Sequence, residues 1–415
     1  MTIPLKNIHK VLIANRGEIA LRVMRTCREM DIKTVTLHSE VDKNLPHALL
    51  ANESYSIGQG SIGETYLNKE KILSIAKSSG VDAIHPGYGF LSENAEFCKH
   101  VSNAGIVFIG PKPETMKLMG DKVSSKQTLE KIGIPLIPGY HGDNQDDTFL
   151  FIQAQKIGFP VLIKASAGGG GKGMRVVYRN EEFFQSLESA KREALSYFGD
   201  NRVLIEKYLV HPRHIEVQVM SDAHDNHYHF FERECSIQRR HQKIIEETPS
   251  SAISSEQRKY ITELALKITK HIQYLGAGTI EFIYDNKENF YFLEMNTRLQ
   301  VEHPITEMVT GYDLVKLQIL TAQGEKLDLD QDKITQKGHA IETRICAENP
   351  ENDFLPTVGQ IHYIGYPQVQ NSRFECGYSN GNEVTVHYDP MLAKLVVWGE
   401  NRSSTIKKMI MALQD

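Results

Sequence analysis

The sequence predicts an α/β protein of more than one domain, entered through a doubly wound parallel α/β domain. Three observations predict it. Apolar strand-like runs alternate with amphipathic helical runs over residues 1–120. Beyond "GPKPETMKLMGDK" the texture changes to β-rich pairs around a glycine run. The length, 415 residues, exceeds what one ordinary core holds.

The first elements follow in order. "KVLIA" reads as a buried strand, "RGEIALRVMRTCREM" as a helix with an apolar stripe at Ile19, Val23 and Cys27, and "KTVTLHS" as the next strand. "EKILSIAKSSG" with "DAIHPG", then "AEFCKHVSNAG" with "IVFIG", repeat helix and strand. The loops "ANRGE" and "HPGYGFLSEN" follow strands, where open α/β sheets place ligands; a tight turn with a packed tyrosine is the plainer reading of the second. A helix, "KVSSKQTLEKIG", then leads through the Pro/Gly joint "IPLIPGYHG" into a separate small lobe.

In that lobe "FLFIQAQKIG" reads as a helix and "FPVLIKAS" as a strand running into "KASAGGGGKGM", with five glycines in six positions. A dinucleotide fingerprint would open a helix, but the β-rich "MRVVY" follows. A Walker A loop fails as well, because Gly173 follows Lys172 and Ser166 stands where its first glycine belongs. What remains is strand, glycine loop, strand: a flap whose backbone N–H groups close over phosphates, or a plain surface loop. "RVLIEKYL" and "RHIEVQVM" are further strands, the second alternating Ile215, Val217 and Val219 with Glu216 and Gln218. Arg239, Arg240, His241 and Lys243 are bracketed by Glu232, Glu234, Glu246 and Glu247, which suits an anion pocket better than a nucleic-acid patch.

"GTIEFIYDNKENFYFLEMNTRLQVEHP" reads as a hairpin around "DNKEN". Glu294, Asn296, Arg298, Gln300 and Glu302 recur at every second position and share one face if the chain stays extended. A charged edge strand is the plainer alternative. With Glu281 on the partner strand, two carboxylates and an amide oxygen offer hard ligands suited to Mg²⁺ shared with nucleotide phosphates.

Composition excludes other classes. With 40% hydrophobic and 24% charged residues and a net charge of −5, the chain is no generic nucleic-acid or membrane-surface binder. No apolar run approaches a membrane span, and "MTIPLKNIHKVLIANRGE" has neither a signal-peptide core nor an Arg-rich leader. Cys27, Cys98, Cys235, Cys346 and Cys376 lie far apart without CxxC spacing and read as reduced thiols of a cytoplasmic enzyme.

"IANRGEIALRV", "HPGYGFLSEN", "MGDK", "KASAGGGGKGMR", "ERECSIQRRHQK", "EMNTRLQVEHPITEM" and "HAIETRICAENP", in this order and spacing from residue 8 onward, resemble the biotin carboxylase family of the ATP-grasp superfamily. The resemblance implies a biotin carboxylase N-terminal domain over 1–120, an ATP-grasp domain over 121–325 with a mobile lid lobe at about 136–208, and a mixed α+β C-terminal domain over 335–415. It implies ATP- and bicarbonate-dependent N-carboxylation of biotin through carboxyphosphate. ATP would be held by Lys122, Lys164, Gly170, Gly171, Glu206, Lys207, Tyr208, Leu209, His214 and His241. Glu281, Glu294 and Asn296 would hold Mg²⁺ or Mn²⁺. Lys243, Arg298, Gln300, Val301 and Glu302 would surround bicarbonate, with Glu302 the general base, and Arg344 would face the ureido oxygen of biotin. Cys235, without a pKa-lowering neighbour in sequence, reads as packing.

Within the family, "GGGGKGM" and "GNEVTVHYDPMLAKLVVWGENR" are most like acyl-CoA carboxylase α subunits, the 3-methylcrotonyl-CoA type first and the acetyl- and propionyl-CoA types behind it. The implied partners are a biotin carboxyl carrier domain, a carboxyltransferase subunit and further copies of the chain, with no nucleic acid or membrane. Against the family's pattern the chain ends at "MIMALQD" with the last domain incomplete, and it has no Met-Lys-Met biotinylation site; the expected carrier is another chain or a missing C-terminal portion. The rival readings are the corresponding part of pyruvate carboxylase, another ATP-grasp ligase without need of Arg344, and a non-catalytic nucleotide-binding scaffold.

Overall fold

The computed structural model describes residues 5–166, 174–285 and 287–415. Five parallel strands open the fold, in the spatial order Glu53–Ser56, Lys33–His38, Lys10–Ile13, Ala83–His85, Val107–Phe108. Helices Gly17–Glu29, Lys69–Ser78 and Ala95–Asn103 connect them, which is the doubly wound arrangement expected. Edge strand Glu53–Ser56 carries no alternation strong enough to be seen in the sequence. At the point where the strand order reverses, the Asn15 amide donates to the carbonyls of Pro86 at 2.8 Å and Tyr88 at 2.7 Å. A Cβ on Gly87, whose φ is +63°, would lie 2.9 Å from that amide, so "HPGYGF" needs its glycine there.

The small lobe has its own four-stranded sheet, ordered Gly139–Tyr140, Val203–Lys207, Val161–Ala165, Met174–Val177. Helices Asp147–Ile157 and Phe183–Phe198 cover it, and Leu150, Val161, Ile163, Phe183, Leu187 and Ile205 form a separate core. The strands on either side of the glycine run pair antiparallel, Lys164 opposite Met174. The glycine flap itself, including Gly170 and Gly171, lies outside the described residues.

The rest is built on one antiparallel sheet of eight strands: Phe290–Asn296, Gly276–Tyr284, Arg213–Ser221, His227–Arg239, Gln242–Thr248, His339–Cys346, Met391–Gly399 and Ser372–Cys376. Strand Gln242–Thr248 pairs with His339–Cys346, so the sheet runs unbroken into the C-terminal region. Arg240 and His241, both with positive φ, make the two-residue turn between Arg239 and Gln242, the geometry that matches hairpin twist.

Buried ion pairs join the first domain to this sheet. Arg22, 2% exposed, reaches Glu307 at 2.6 Å and Asp313 at 2.7 Å, and Arg373 reaches Glu307 from the C-terminal strand at 2.7 Å. Backbone meets backbone at Gly377, where an added Cβ would sit 2.8 Å from Gly17 Cα and from the Glu18 nitrogen. Gly377→Ala is expected to cost about 1–3 kcal/mol of stability by overpacking this seam. Chemical denaturation of the wild type and the variant checks it; equal stabilities would show that the seam yields freely.

Candidate active site

A cleft of about 880 Å³ opens between the small lobe and the eight-stranded sheet. Its lobe-side wall is cationic. The side chain of Asp121 caps helix Lys122–Glu130 by accepting from the Ser124 N–H, and Lys122 and Lys126 lie one turn apart on that helix. Lys126 and Lys164 share the buried carboxylate of Glu206, Lys164 at 2.5 Å. One carboxylate cannot neutralise two ammonium groups. Burial, and then the neighbouring Lys122, push Lys164 down to about 8. Lys126 escaped sequence reasoning, although its spacing of four from Lys122 in "DKVSSK" was a signal for a shared helix face.

Of the ATP residues inferred from sequence, Lys122, Lys164, Glu206, Lys207, Tyr208, Leu209, His214 and His241 all line this cleft. Lys207 turns its ammonium away, to the carbonyls of Gly158 at 2.8 Å and Phe159 at 3.1 Å. Its side chain therefore ties the lobe together. His214 Nε2 lies 2.6 Å from Glu281, while the Gln238 amide meets Nδ1 at 3.0 Å. Burial opposes charge on His214, but Glu281 wins and raises its pKa.

The opposite wall is a network of acids and bases. Lys243 donates to Glu216 at 2.5 Å, Glu281 at 2.8 Å and Glu302 at 2.8 Å. Burial alone would lower its pKa; the three carboxylates raise it well above the usual lysine range. Beneath it Arg233, fully buried, donates to Glu216 at 2.5 Å, Gln218 at 2.8 Å and Gln300 at 2.7 Å. Glu216 and Gln218 had been visible as the polar half of an alternating strand; both faces of that strand are buried. Arg233 had no such signal, since "ERECS" reads as surface charge.

The row predicted on one extended face is only partly extended. The strand ends at Asn296, and Glu302 stands at the N-cap position of helix His303–Thr310 without a side-chain capping bond. Glu93, from "HPGYGFLSEN", breaks the run by accepting from the Thr297 backbone at 2.9 Å and from Arg298 Nε at 2.8 Å. The side chains still converge after the turn. Gln300 and Asn296 each donate to Glu281 at 2.8 Å, and Arg298 donates to the Asn296 amide oxygen at 2.8 Å. Glu302 stands between Lys243 at 2.8 Å and Arg344 at 3.1 Å. Burial works against its charge, yet Lys243, Arg344 and Arg233 together hold its pKa far below the ordinary carboxylate range.

Glu281 and Glu294 are directly opposed across their hairpin. Burial and then the Glu281 charge push Glu294 up, with Lys122 pulling against them. Two buried carboxyls of like charge beside an amide suit a divalent cation, which would relieve that repulsion. His214, Glu216 and Glu281 also bring ligand atoms within 4.8 Å of one another. Cys235 is fully buried, and burial followed by Glu216 raises its thiol well above the ordinary range, which leaves it unreactive.

A lysine-lined wall, a carboxylate hairpin and a lobe carried on a separate core together define an enzyme of the ATP-grasp fold. Residues 7–116 match the "Biotin carboxylase, N-terminal domain" family, 121–330 the "Carbamoyl-phosphate synthase L chain, ATP binding domain" and 342–415 the "Biotin carboxylase C-terminal domain". The chain is 52% identical over 412 residues to a mitochondrial methylcrotonoyl-CoA carboxylase subunit alpha of Dictyostelium discoideum, covering 99% of this chain and 59% of that protein. It is 49% identical to biotin carboxylase 2 of Bacillus subtilis, covering 98% of this chain and 91% of that one. The biotin carboxylase domain of Hydrogenobacter thermophilus 2-oxoglutarate carboxylase, solved with MgADP, ADP and bicarbonate, superposes with a TM-score of 0.95 at 46% identity, covering 99% and 90% of the two chains. A biotin carboxylase from Campylobacter jejuni in complex with β,γ-ATP gives 0.96 at 46% identity, covering 98% and 91%. The chain belongs to the biotin carboxylase family. It spans about three-fifths of the length of the methylcrotonoyl-CoA carboxylase subunits it matches.

The depressed Lys164 makes a pH prediction. A phosphate beside it favours the ammonium, so above about pH 8 nucleotide binding should take up a proton, and affinity should weaken as pH rises through that value. Calorimetry of ATP binding in buffers of different ionisation enthalpy would show this uptake, and Lys164→Met would abolish it. Uptake unchanged in the variant would move the titrating group elsewhere.

Proposed function

We propose that this chain carboxylates biotin at the expense of ATP and bicarbonate, as the first half-reaction of an acyl-CoA carboxylase. The observation that carries the reading is Glu302 held between Lys243 and Arg344, one cation from each of two neighbouring strands. Bicarbonate entering beside Arg298, Gln300 and the Val301 backbone would take Lys243 and Arg344 as partners for its own oxygens. Glu302, relieved of them, regains the basicity to remove the bicarbonate proton. Bicarbonate oxygen then attacks the γ-phosphorus of ATP and ADP leaves, giving carboxyphosphate. Lys122, Lys126 and Lys164 hold the phosphates, and Mg²⁺ on Glu281, Glu294 and Asn296 would spread their charge. Carboxyphosphate breaks down to CO₂ and phosphate. Biotin N1 loses its proton to that phosphate, and Arg344 stabilises the charge carried by the ureido oxygen. N1 then bonds to CO₂.

The proposed partners are a biotin carrier and a carboxyltransferase subunit, as the resemblance to methylcrotonoyl-CoA carboxylase α subunits suggests. A homo-oligomer is proposed too, since the Hydrogenobacter domain is described as a dimer. Five free cysteines support a reducing compartment, and we place the chain in the cytoplasm. No helix among the described residues is long and apolar enough to cross a membrane.

Glu302→Gln should lose both carboxybiotin formation and bicarbonate-dependent ATP hydrolysis, by about 10²–10⁴-fold, because the amide cannot accept the proton. Arg344→Gln should retain bicarbonate-dependent hydrolysis while carboxybiotin formation falls. Phosphate release and carboxybiotin measured in parallel decide this. Equal loss of both activities in Arg344→Gln would put that residue on bicarbonate or ATP instead. Turnover unaffected by free biotin and bicarbonate would favour a different ATP-grasp ligase.

Glu294→Gln should raise the Mg²⁺ concentration needed for half-maximal turnover and leave folding intact, since Glu294 borders the cleft without anchoring Lys243. A magnesium titration with a circular dichroism melt checks it; a wild-type titration curve would remove Glu294 from the metal.

A further inference from the structure

Behind Arg344 stand two buried carboxyls that the reaction above does not use. Glu246 and Glu342 face each other in register on strands Gln242–Thr248 and His339–Cys346, and neither is exposed at all. Glu246 Oε1 takes the Arg344 Nε at 2.8 Å, while its Oε2 has no hydrogen-bond partner. Both oxygens of Glu342 lack one as well. A buried carboxylate without a donor is costly, whereas a buried carboxylic acid beside a free carboxylate oxygen is not.

The surrounding charges leave no cation to spare. Arg344, two residues on from Glu342 and on the same strand face, is committed to Glu246 and Glu302. Lys394 lies opposite Arg344 in register and is fully buried. Its ammonium donates to the Val301 carbonyl at 2.6 Å and lies 3.3 Å from Glu18. Lys243, on strand Gln242–Thr248, already serves three glutamates. Helix His303–Thr310 packs on this face with Glu302 at its N-cap and His303, which burial keeps neutral, while its Glu307 is turned to Arg22 and Arg373. Cys235 and Arg233 approach from the neighbouring strand, the first as a neutral thiol and the second bound to Glu216. Burial raises Glu342 well above the usual carboxyl range, with Lys394 opposing and Glu246 adding to it. Glu246 is raised to about 7 by burial, against the pull of Arg344.

We propose that Glu342 is a positioning residue that works as a neutral carboxylic acid beside Glu246. Glu246 then remains the anionic anchor of Arg344, and Lys394 stays on the Val301 carbonyl. An ionised Glu342 would place a further carboxylate beside these two cations, which already face Glu246, Glu302 and Glu18. It would draw Lys394 from Val301 and Arg344 from Glu302, displacing both the bicarbonate-side backbone and the biotin-facing guanidinium. Carboxybiotin formation should therefore fall as pH rises through the ionisation of this pair. The inference rests on the biotin carboxylation proposed above, and its primary test is independent of activity.

Infrared difference spectra of the intact chain read the protonation state directly. The wild type minus Glu342→Gln difference at neutral pH should contain the carbonyl stretch of a protonated carboxylic acid. That band should vanish as pH rises, over the range where wild-type carboxybiotin formation at saturating ATP falls. The variant's pH profile, also at saturating ATP where weaker nucleotide binding does not contribute, should lack that alkaline fall. No such band, or an unchanged alkaline fall in Glu342→Gln, overturns the proposal. Glu246→Gln provides a second measurement if Glu342→Gln does not fold. The acid band should survive it, because the proton sits on Glu342, whereas its loss would place the proton on Glu246 and overturn the assignment. A wild type with no biotin-dependent turnover would sink the functional reading and leave the spectroscopic test standing.

Discussion

The ammonium of Lys243 is the interaction on which the site depends. Glu216, Glu281 and Glu302 come from three different parts of the chain and point inward, out of bulk water, at one small volume. Without a cation among them their mutual repulsion and desolvation would force protonation or expulsion. Lys243 and Arg233 between them hold the three side chains in place. Removing one partner of such a buried set costs about 3–5 kcal/mol, far more than a surface pair, because the charges left behind have no water to turn to. The same arrangement restrains Glu302, whose cations hold its pKa far below the ordinary carboxylate range.

The long sheet turns this local balance into geometry. Because strands Gln242–Thr248 and His339–Cys346 are hydrogen-bonded neighbours, Lys243 and Arg344 are held on one rigid surface despite belonging to separate stretches of sequence. The first domain is fastened to that surface through Arg22, Glu307 and Arg373, and through Glu93, which grips the chain just after strand Phe290–Asn296. The small lobe carries Lys164 on a core of its own, whereas Lys122 and Lys126 stand on helix Lys122–Glu130, whose Leu129 packs with the sheet, so the lysines of the cleft come from separately packed elements.

Much of this was legible in the sequence where a period or a spacing carried it. The alternating strands and helices of the first domain, the glycine run between two strands and the motif order of a biotin carboxylase all follow from local pattern. The reading weakened where polar residues are buried. Strand Arg213–Ser221 shows a polar face at Glu216 and Gln218, and periodicity alone would send that face to solvent. The extended row from Glu294 to Glu302 was right about convergence and wrong about the backbone, because Glu93 intercepts the chain from about two hundred residues away.

The sequence by itself determined the elements, the class of fold and the family, since these depend on periodicity and on the order of short motifs. Tertiary structure alone decided which charges are neutralised. Glu302 meets Lys243 across 59 positions and Arg344 across 42, and Arg344 meets Glu246 across 98. No local pattern encodes such pairings. The physical reason is that a charged side chain looks the same in sequence whether water or a distant partner solvates it, and only folding chooses between them.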